Sequence, residues 1–231
     1  MGYFSEGFHK ALDLLLHMDD ATISAIKATL VSTGYALSFA ILLGLPLGFL
    51  LGYTNFPCKK FLRLISDTLL AFPTVLIGLI VYVFITYRGP LGQWGLLFTL
   101  PGMVIGQTLL ALPIVISWTA QAVESLDPRC RETLLTLGAR PFQLAWLTIR
   151  EVRYEIGMVC VTAFGRVVTE VGVAMMLGGN IRYATRTMTT AISLETSKGE
   201  FAQGIALGLV LLLIAFVVNF LLAWFKHKGR A

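Results

Sequence analysis

Charged side chains are scarce in this sequence of 231 residues, and the scarcity excludes an ordinary water-soluble domain. Asp, Glu, Lys and Arg make up 13% of the chain, whereas hydrophobic residues make up 56% and the mean hydropathy is +0.78. Soluble domains carry about 25% charged residues. Because so few charges cannot cover a surface that faces water, most of the exterior is predicted to face lipid.

Cysteine and histidine are too few and too scattered to indicate a metal or catalytic centre. The three cysteines, Cys58, Cys130 and Cys160, show no C-x-x-C spacing, so zinc sites and disulfide frameworks are unsupported. The apolar segments hold no serine–histidine set and no histidine cluster, which an intramembrane enzyme, the alternative class, would need. The sequence therefore predicts no catalytic residue and no metal site.

A nucleotide-binding sequence is also missing. Neither the pattern Gly-x4-Gly-Lys-Ser/Thr nor any Gly-Lys pair occurs. The net charge is +5, but the basic residues flank apolar segments and form no stripe interleaved with aromatics, which disfavours nucleic-acid binding. The chain itself is predicted to need no cofactor, and any use of ATP requires a partner that binds the nucleotide.

Long apolar runs are what the sequence has in abundance. Crossing a hydrocarbon core of about 30 Å takes about 20 apolar residues in a helix. These runs predict an all-α, polytopic bundle, residues 21–231, preceded by an amphipathic helix at 1–20 that lies on the membrane surface. Five segments qualify as transmembrane helices, at about 28–52, 64–87, 101–123, 156–177 and 203–225.

The distribution of Lys and Arg predicts the orientation of the five spans. Cations are more numerous on the side that holds Lys59, Lys60, Arg63, Arg129, Arg131, Arg140, Arg150, Arg153, Lys226, Lys228 and Arg230. The other side holds only Lys10, Lys27, Arg88, Arg182, Arg186 and Lys198. Because the richer side is cytoplasmic under the positive-inside rule, the N-terminus is predicted outside and the C-terminus in the cytoplasm.

Small residues and prolines predict how the helices pack and bend. Gly44, Gly48 and Gly52 recur every four residues and therefore share one face, which lets another helix approach closely. Prolines at positions 46, 73 and 113 fall inside predicted helices and should kink them.

The segment at about 125–155, between the third and fourth spans, is predicted to form a helical hairpin in the cytoplasm. Asp127 before Pro128 is a helix-start signal, Gly138 is a natural stop, and Pro141 opens a second helix. Both helices are too short and too amphipathic to cross a membrane.

Within this hairpin, Glu132 followed six residues later by Gly138 and then Ala139 resembles the EAA loop of ABC importer permeases. The two alanines of the family pattern are Thr133 and Leu134 here. The resemblance implies the type I importer permease fold, with a coupling helix that docks into a groove on a separate ATPase subunit holding ATP and Mg. Nucleotide-driven closure would then switch the permease between inward-open and outward-open states. The residues expected at this contact are Arg131, Glu132, Leu135, Gly138, Ala139 and Phe142.

The stretch 163–193 resembles the branch of these permeases that imports molybdate, tungstate or sulfate, and the tungstate-transporting members are the nearest match. It carries R-x-x-x-E-x-G at Arg166, Glu170 and Gly172, a G-N-I that begins at Gly179, and a T-x-T-M-x-x-A-I that begins at Thr185. The resemblance implies a cell-membrane permease for tungstate, with molybdate, sulfate or another small solute as alternatives. It also implies a homodimer with two ATPase subunits inside and a solute-binding protein outside.

Arg166 and Glu170 stand four residues apart and therefore share a helix face, with their Cβ atoms about 5–6 Å apart. A charge at the bilayer centre costs about 2.5–3.5 kcal/mol on insertion scales, a cost that pairing or a water-filled cavity reduces. Two interpretations follow. Either the pair lines the translocation path or its gate, or it is a structural ion pair that clamps two helices.

The segment after this pair is rich in threonine and arginine, which suits a tetrahedral oxyanion. Hydroxyl and backbone N–H donors can bind such an anion while positive potential attracts it. Docking of a binding protein, or plain solvation, would explain the same composition. The residues expected to shape the outer mouth are Asn180, Arg182, Thr185, Arg186 and Thr187.

Overall fold

The protein is described from a computed structural model that covers residues 2–17, 20–127, 129, 133 and 135–228, and all regular structure within these ranges is helical. A single 3-10 turn, Gly92–Trp94, lies between the fourth and fifth helices. The α-helices are α1 Gly2–His17, α2 Asp20–Tyr53, α3 Lys59–Leu70, α4 Thr74–Ile85, α5 Leu100–Glu124, α6 Pro141–Glu151, α7 Arg153–Val168, α8 Gly172–Gly178, α9 Met188–Ser197 and α10 Phe201–Lys228.

Five spans can be built from these helices, in the places that the sequence predicts. Three helices are long and apolar enough to cross a membrane, namely α2, α5 and the part of α10 over Phe201–Phe220. The other two spans are bent pairs, α3 with α4 at 99° and α7 with α8 at 59°. The predicted second and fourth segments are therefore broken rather than continuous helices.

The two breaks have different causes. Pro73 immediately precedes α4 and lacks the backbone N–H that a continuous helix would need, so α3 ends at Leu70. The prolines at 46 and 113, in contrast, lie inside the continuous helices α2 and α5. At the second break no proline is present, and the side chain of Glu170 accepts a hydrogen bond from the backbone N–H of Val173 at 3.2 Å. That bond satisfies one of the free N–H groups at the start of α8.

The glycine face of α2 packs against α5, as predicted. A Cβ added to Gly48 would lie 2.6 Å from the carbonyl oxygen of Ile116, and one added to Gly52 would lie 2.6 Å from that of Ala120. A Cβ on Gly44 would lie 2.8 Å from a methyl group of Val115. The two long helices therefore touch backbone to backbone at Gly48 and Gly52, which are about one turn apart.

We expect Gly48→Ala to destabilise the bundle, because the new methyl group meets a backbone oxygen that moves only if α5 moves. Overpacking of this kind costs about 1–3 kcal/mol. Gly34→Ala, on the same helix, is the matched control, because a Cβ there meets no atom within 4 Å. Thermal unfolding of the purified protein in detergent measures both variants. Equal losses of stability would contradict the close contact.

The bundle has two distinguishable ends, which we name by their residues. At the hairpin end, α5 finishes at Glu124 and the segment 125–152 follows. At the loop end, the segments 86–99 and 179–187 meet, since a Cβ added to Gly179 would lie 2.7 Å from the ring of Phe98. Beside the loop end, a core of α4, α5 and α8 packs buried Val81, Met103 and Val173 together.

The predicted N-terminal helix is present as α1, and it packs against α10. A Cβ added to the buried Gly7 would lie 2.6 Å from the Cγ2 atom of Ile205. Phe8 and Leu12 are exposed. That α1 lies on a membrane surface stays a prediction.

Candidate functional site

The central charged feature is an ion pair at the break between α7 and α8. The Nη1 atom of Arg166 donates to the Oε2 atom of Glu170 at 2.8 Å. The Glu170 side chain is 4% exposed, whereas that of Arg166 is 41% exposed. The carboxylate is thus held by two donors, Arg166 and the Val173 N–H, while part of the guanidinium stays available to another group.

Arg166 belongs to an open, polar face of α7. Met158, Thr162, Gly165 and Thr169 share this face, and all are exposed or half-buried. Both threonine hydroxyls donate to carbonyl oxygens of their own helix, at 3.0 Å for Thr162 and 2.8 Å for Thr169. A Cβ on Gly165 would meet no atom within 4 Å. We call these five residues the α7 stripe.

The depth of the α7 stripe makes contact with lipid unfavourable. Arg166 stands thirteen residues after Arg153, which is about 20 Å along a helix that rises about 1.5 Å per residue. A cation at such a depth costs about 2.5–3.5 kcal/mol in lipid. The surface around Arg166 is therefore suited to water or to another protein surface.

At the loop end, a second basic residue is fixed by an asparagine. The Nε atom of Arg186 donates to the Asn180 Oδ1 atom at 3.1 Å, and its Nη2 atom donates to the Asn180 carbonyl oxygen at 3.3 Å. Asn180 has a backbone φ of +51°, which L-residues rarely adopt. The arginine thus stabilises a strained turn.

The threonines of this segment are turned inward. Thr185 is buried, accepts from the Ile181 N–H at 3.2 Å and donates to the Gly178 carbonyl oxygen. Thr187 caps α9 by accepting from the Thr190 N–H at 3.3 Å. Their hydroxyls are therefore engaged within the segment in this conformation.

A buried hydrogen-bond chain connects this segment to the ion pair and to α2. The hydroxyls of Thr187 and Thr189 lie 2.9 Å apart, and the Thr189 hydroxyl donates to the Glu170 carbonyl oxygen at 2.9 Å. In the first turn of α9, the Met188 N–H donates to the Thr29 hydroxyl of α2 at 2.8 Å. The loop end is consequently tied to the break at Glu170.

Of the residues predicted to shape the outer mouth, Arg182 is the most accessible. Its guanidinium carbon lies 4.8 Å above the exposed ring of Tyr183. Asn180 and Arg186 are half-buried, whereas Thr185 and Thr187 are buried. Their role in admitting a substrate stays a prediction.

In the described part of the hairpin, three turn signals lie where the sequence predicts them. The Asp127 carboxylate accepts from the Arg129 N–H at 2.9 Å, and Gly138 has a φ of +77°, as expected of a helix stop. The second helix, α6, begins at Pro141. Arg131 and Glu132, both predicted at the ATPase contact, lie outside the described residues.

The hairpin presents apolar side chains to the outside. Phe142 is 82% exposed, and Leu135, Leu137 and Trp146 are also exposed, whereas Leu144 is buried and anchors α6. Gly138 is exposed and Ala139 half-buried. Large apolar patches of this kind mark interaction sites. That the hairpin contacts an ATPase stays a prediction.

Sequence reasoning missed a polar cluster between α3 and α5. Lys59, Arg63 and Asp67 of α3 contact Ser117 and Glu124 of α5. The sequence could have indicated this cluster, because Arg63 and Asp67 stand four residues apart at the edge of a predicted apolar segment.

Five candidate spans, a hairpin with exposed apolar side chains at one end and a charged pair at a broken span are the features of a multi-pass membrane permease. The chain belongs to the family described as binding-protein-dependent transport system inner membrane components, which matches residues 44–230. It is 51% identical over 221 residues to the tungstate uptake system permease protein TupB of Campylobacter jejuni subsp. jejuni serotype O:2, covering 96% of this chain and 92% of that protein. It is 36% identical to TupB of Peptoclostridium acidaminophilum, covering 95% of this chain and 96% of that protein.

Solved structures confirm the expected fold of ABC importer permeases. The inward-facing MetNI methionine ABC transporter matches with a TM-score of 0.75 and 16% identity, covering 91% of this chain and 97% of that one. A bacterial alginate ABC transporter, in complex with an alginate pentasaccharide-bound periplasmic protein, also matches with a TM-score of 0.75. The identity is 18%, and the match covers 94% of this chain and 82% of that one.

Proposed function

We propose that this chain is the permease subunit of a tungstate importer and that a separate ATPase subunit drives it. The assignment of tungstate as the substrate rests on one observation. The chain is 51% identical, over nearly its whole length, to a permease named for tungstate uptake. The chain would bind no nucleotide itself, and ATP and Mg would be held by the ATPase.

The hairpin end is the proposed ATPase contact, which places this end in the cytoplasm, the N-terminus outside and the C-terminus inside. Phe142 and its exposed apolar neighbours supply the surface. The fixed stop at Gly138 and the buried Leu144 make α6 a rigid body that could pass movement into the bundle. Excess Lys and Arg at this end support the same orientation.

The α7 stripe is the proposed lining of the translocation path, between two copies of the chain. A second copy would shield the half-exposed Arg166 from lipid and enclose water beside it. The guanidinium could then offset the charge of a passing tetrahedral dianion, while Glu170 keeps Arg166 in position through the 2.8 Å bond. Because the free part of Arg166 offers few donors, the site would hold an anion weakly enough to release it.

The loop end is the proposed receiving surface for a solute-binding protein. The Asn180–Arg186 contacts and the threonine chain hold this end in one shape, so a partner would meet a pre-formed surface. Its exposed Arg182 would also attract oxyanions.

The substrate is tested with the purified complex of permease, ATPase and binding protein in proteoliposomes. ATP hydrolysis and anion uptake are compared for tungstate, molybdate and sulfate at matched concentrations. We expect tungstate to give the largest stimulation at the lowest concentration. Stimulation by sulfate without a response to tungstate would instead assign the sulfate alternative.

A further inference from the structure

A mixed-charge cluster joins α3 to the last two turns of α5. The Nζ atom of Lys59 lies 3.1 Å from the Oε1 atom of Glu124, the final residue of α5. The Nη1 atom of Arg63 donates to the carbonyl oxygen of Ser117 at 2.6 Å, and its Nε atom lies 3.5 Å from Asp67. The Ser117 hydroxyl donates to the Asp67 carboxylate. The cluster contains two cations and two anions and is therefore neutral.

This cluster is the main attachment of α3 to the rest of the chain. None of the twelve residues of α3, all of them described, is buried. Phe61, Leu64 and Ile65 are among its exposed apolar side chains, so they add little packing within the chain. Polar contacts therefore hold α3 beside α5 in the place of a hydrophobic core.

At its other end, α3 continues into α4 through a sharp elbow. The two helices are bent by 99° at residues 71–73. A cavity of about 300 Å³ lies inside the elbow, lined mainly by apolar side chains that include Leu69, Phe72, Leu109 and Pro113. Because no side chain among the described residues fills this apolar pocket, the angle between the two helices can change without breaking a packed core. In contrast, α4 is fixed beyond the elbow, because Gly78 packs closely on Met176 of α8.

We infer that Arg63 and Asp67 are positioning residues for transport. Together with Lys59, Ser117 and Glu124 they form a strut, by which we mean the polar cluster that makes α3 move together with the hairpin end of α5. The inference rests on the proposed function, because the movement is taken to enter through the docking hairpin. Glu124 is where α5 ends before the hairpin, so displacement of the hairpin reaches Lys59 and Arg63 directly. In this movement the elbow at residues 71–73 acts as the hinge, and α4 keeps its position against α8.

The paired charges of the strut explain why its contacts persist while the helices move. A charged network between two helices is costly to break where its side chains are largely buried, as those of Lys59 and Arg63 are at 20% exposed each. A hinge at residues 71–73 changes only backbone angles and the shape of an apolar cavity. The bend is therefore expected at the elbow and not at the strut.

Distances between spin labels test this inference in the complex with its ATPase. One pair, Phe61→Cys with Trp118→Cys, spans the strut, and a second, Phe61→Cys with Val83→Cys, spans the elbow, with the native cysteines replaced. All three label sites are exposed. We expect ATP and vanadate to shift the elbow distance while the strut distance stays constant. A changed strut distance, or an unchanged elbow distance, would overturn the inference.

Charge variants supply an independent readout. We expect Arg63→Met and Asp67→Asn to retain ATP hydrolysis but to lower uptake per ATP at least about tenfold. Arg63→Met removes the contacts of α3 with Ser117 and Glu124, and Asp67→Asn removes the charge that pairs with Arg63. Lys60→Met, the exposed neighbour on α3, is the matched control and should leave this ratio unchanged. Unaltered ratios in Arg63→Met and Asp67→Asn would also reject the strut. The comparison of tungstate, molybdate and sulfate, made with the unlabelled complex, tests the proposed function separately.

Discussion

Arg166→Met should lower tungstate uptake by about ten- to a hundredfold while the complex still assembles. A hydrogen bond to a charged group is worth about 1.5–3 kcal/mol, and each 1.4 kcal/mol is about tenfold. The substitution removes the cation of the α7 stripe and leaves the buried Glu170 carboxylate with the Val173 N–H but without a cation. Uptake into proteoliposomes measures the loss, and the amount of co-purifying ATPase reports assembly.

A double variant separates the two interpretations of this ion pair. If the pair only clamps α7 to α8, Arg166→Met combined with Glu170→Gln leaves no unpaired charge and should restore most of the uptake. If Arg166 serves the path, the double variant stays inactive. Lys198→Met is the matched control, because it removes an ion pair of similar length, 2.9 Å to Glu195, at an exposed position after α9.

Phe142→Ala should weaken the contact with the ATPase subunit at least about thirtyfold, because a central aromatic anchor contributes about 2 kcal/mol or more to an interface. Phe142 is 82% exposed at the start of α6, so its loss removes partner contact without opening a cavity in the bundle. Titration of the purified permease with its ATPase, followed by light scattering or calorimetry, measures the dissociation constant.

The matched control for this prediction is Phe84→Ala. Phe84 is also an exposed phenylalanine, but it lies on α4, near the loop end. Its removal should leave ATPase binding unchanged. Equal binding by the Phe142→Ala variant and the native permease would mean that the hairpin is solvated and that the ATPase binds elsewhere.

The parts of the fold that could be predicted from the sequence are those set by local chemistry. The apolar runs gave the five spans, because length and hydropathy are properties of contiguous residues. Gly138 and Pro141 indicated the turn between the two hairpin helices through their backbone preferences, and the four-residue glycine repeat on α2 indicated its close packing face.

The parts that could not be predicted depend on which distant residues meet. The Met188 N–H and the Thr29 hydroxyl are separated by 159 residues, and periodicity cannot indicate such a contact. The break at Glu170 has no proline to signal it. The inward orientation of Thr185 likewise depends on a turn held by Arg186 and Asn180, so composition alone favoured an exposed hydroxyl.

Tungstate uptake into proteoliposomes, with and without the ATPase subunit, tests the central claim most directly. The binding protein and tungstate are placed on the side of the loop end, and ATP on the side of the hairpin end. We expect uptake when permease, ATPase and ATP are all present, and none when any is omitted. ATP-independent accumulation by the permease alone, or uptake that persists without the ATPase, would contradict it.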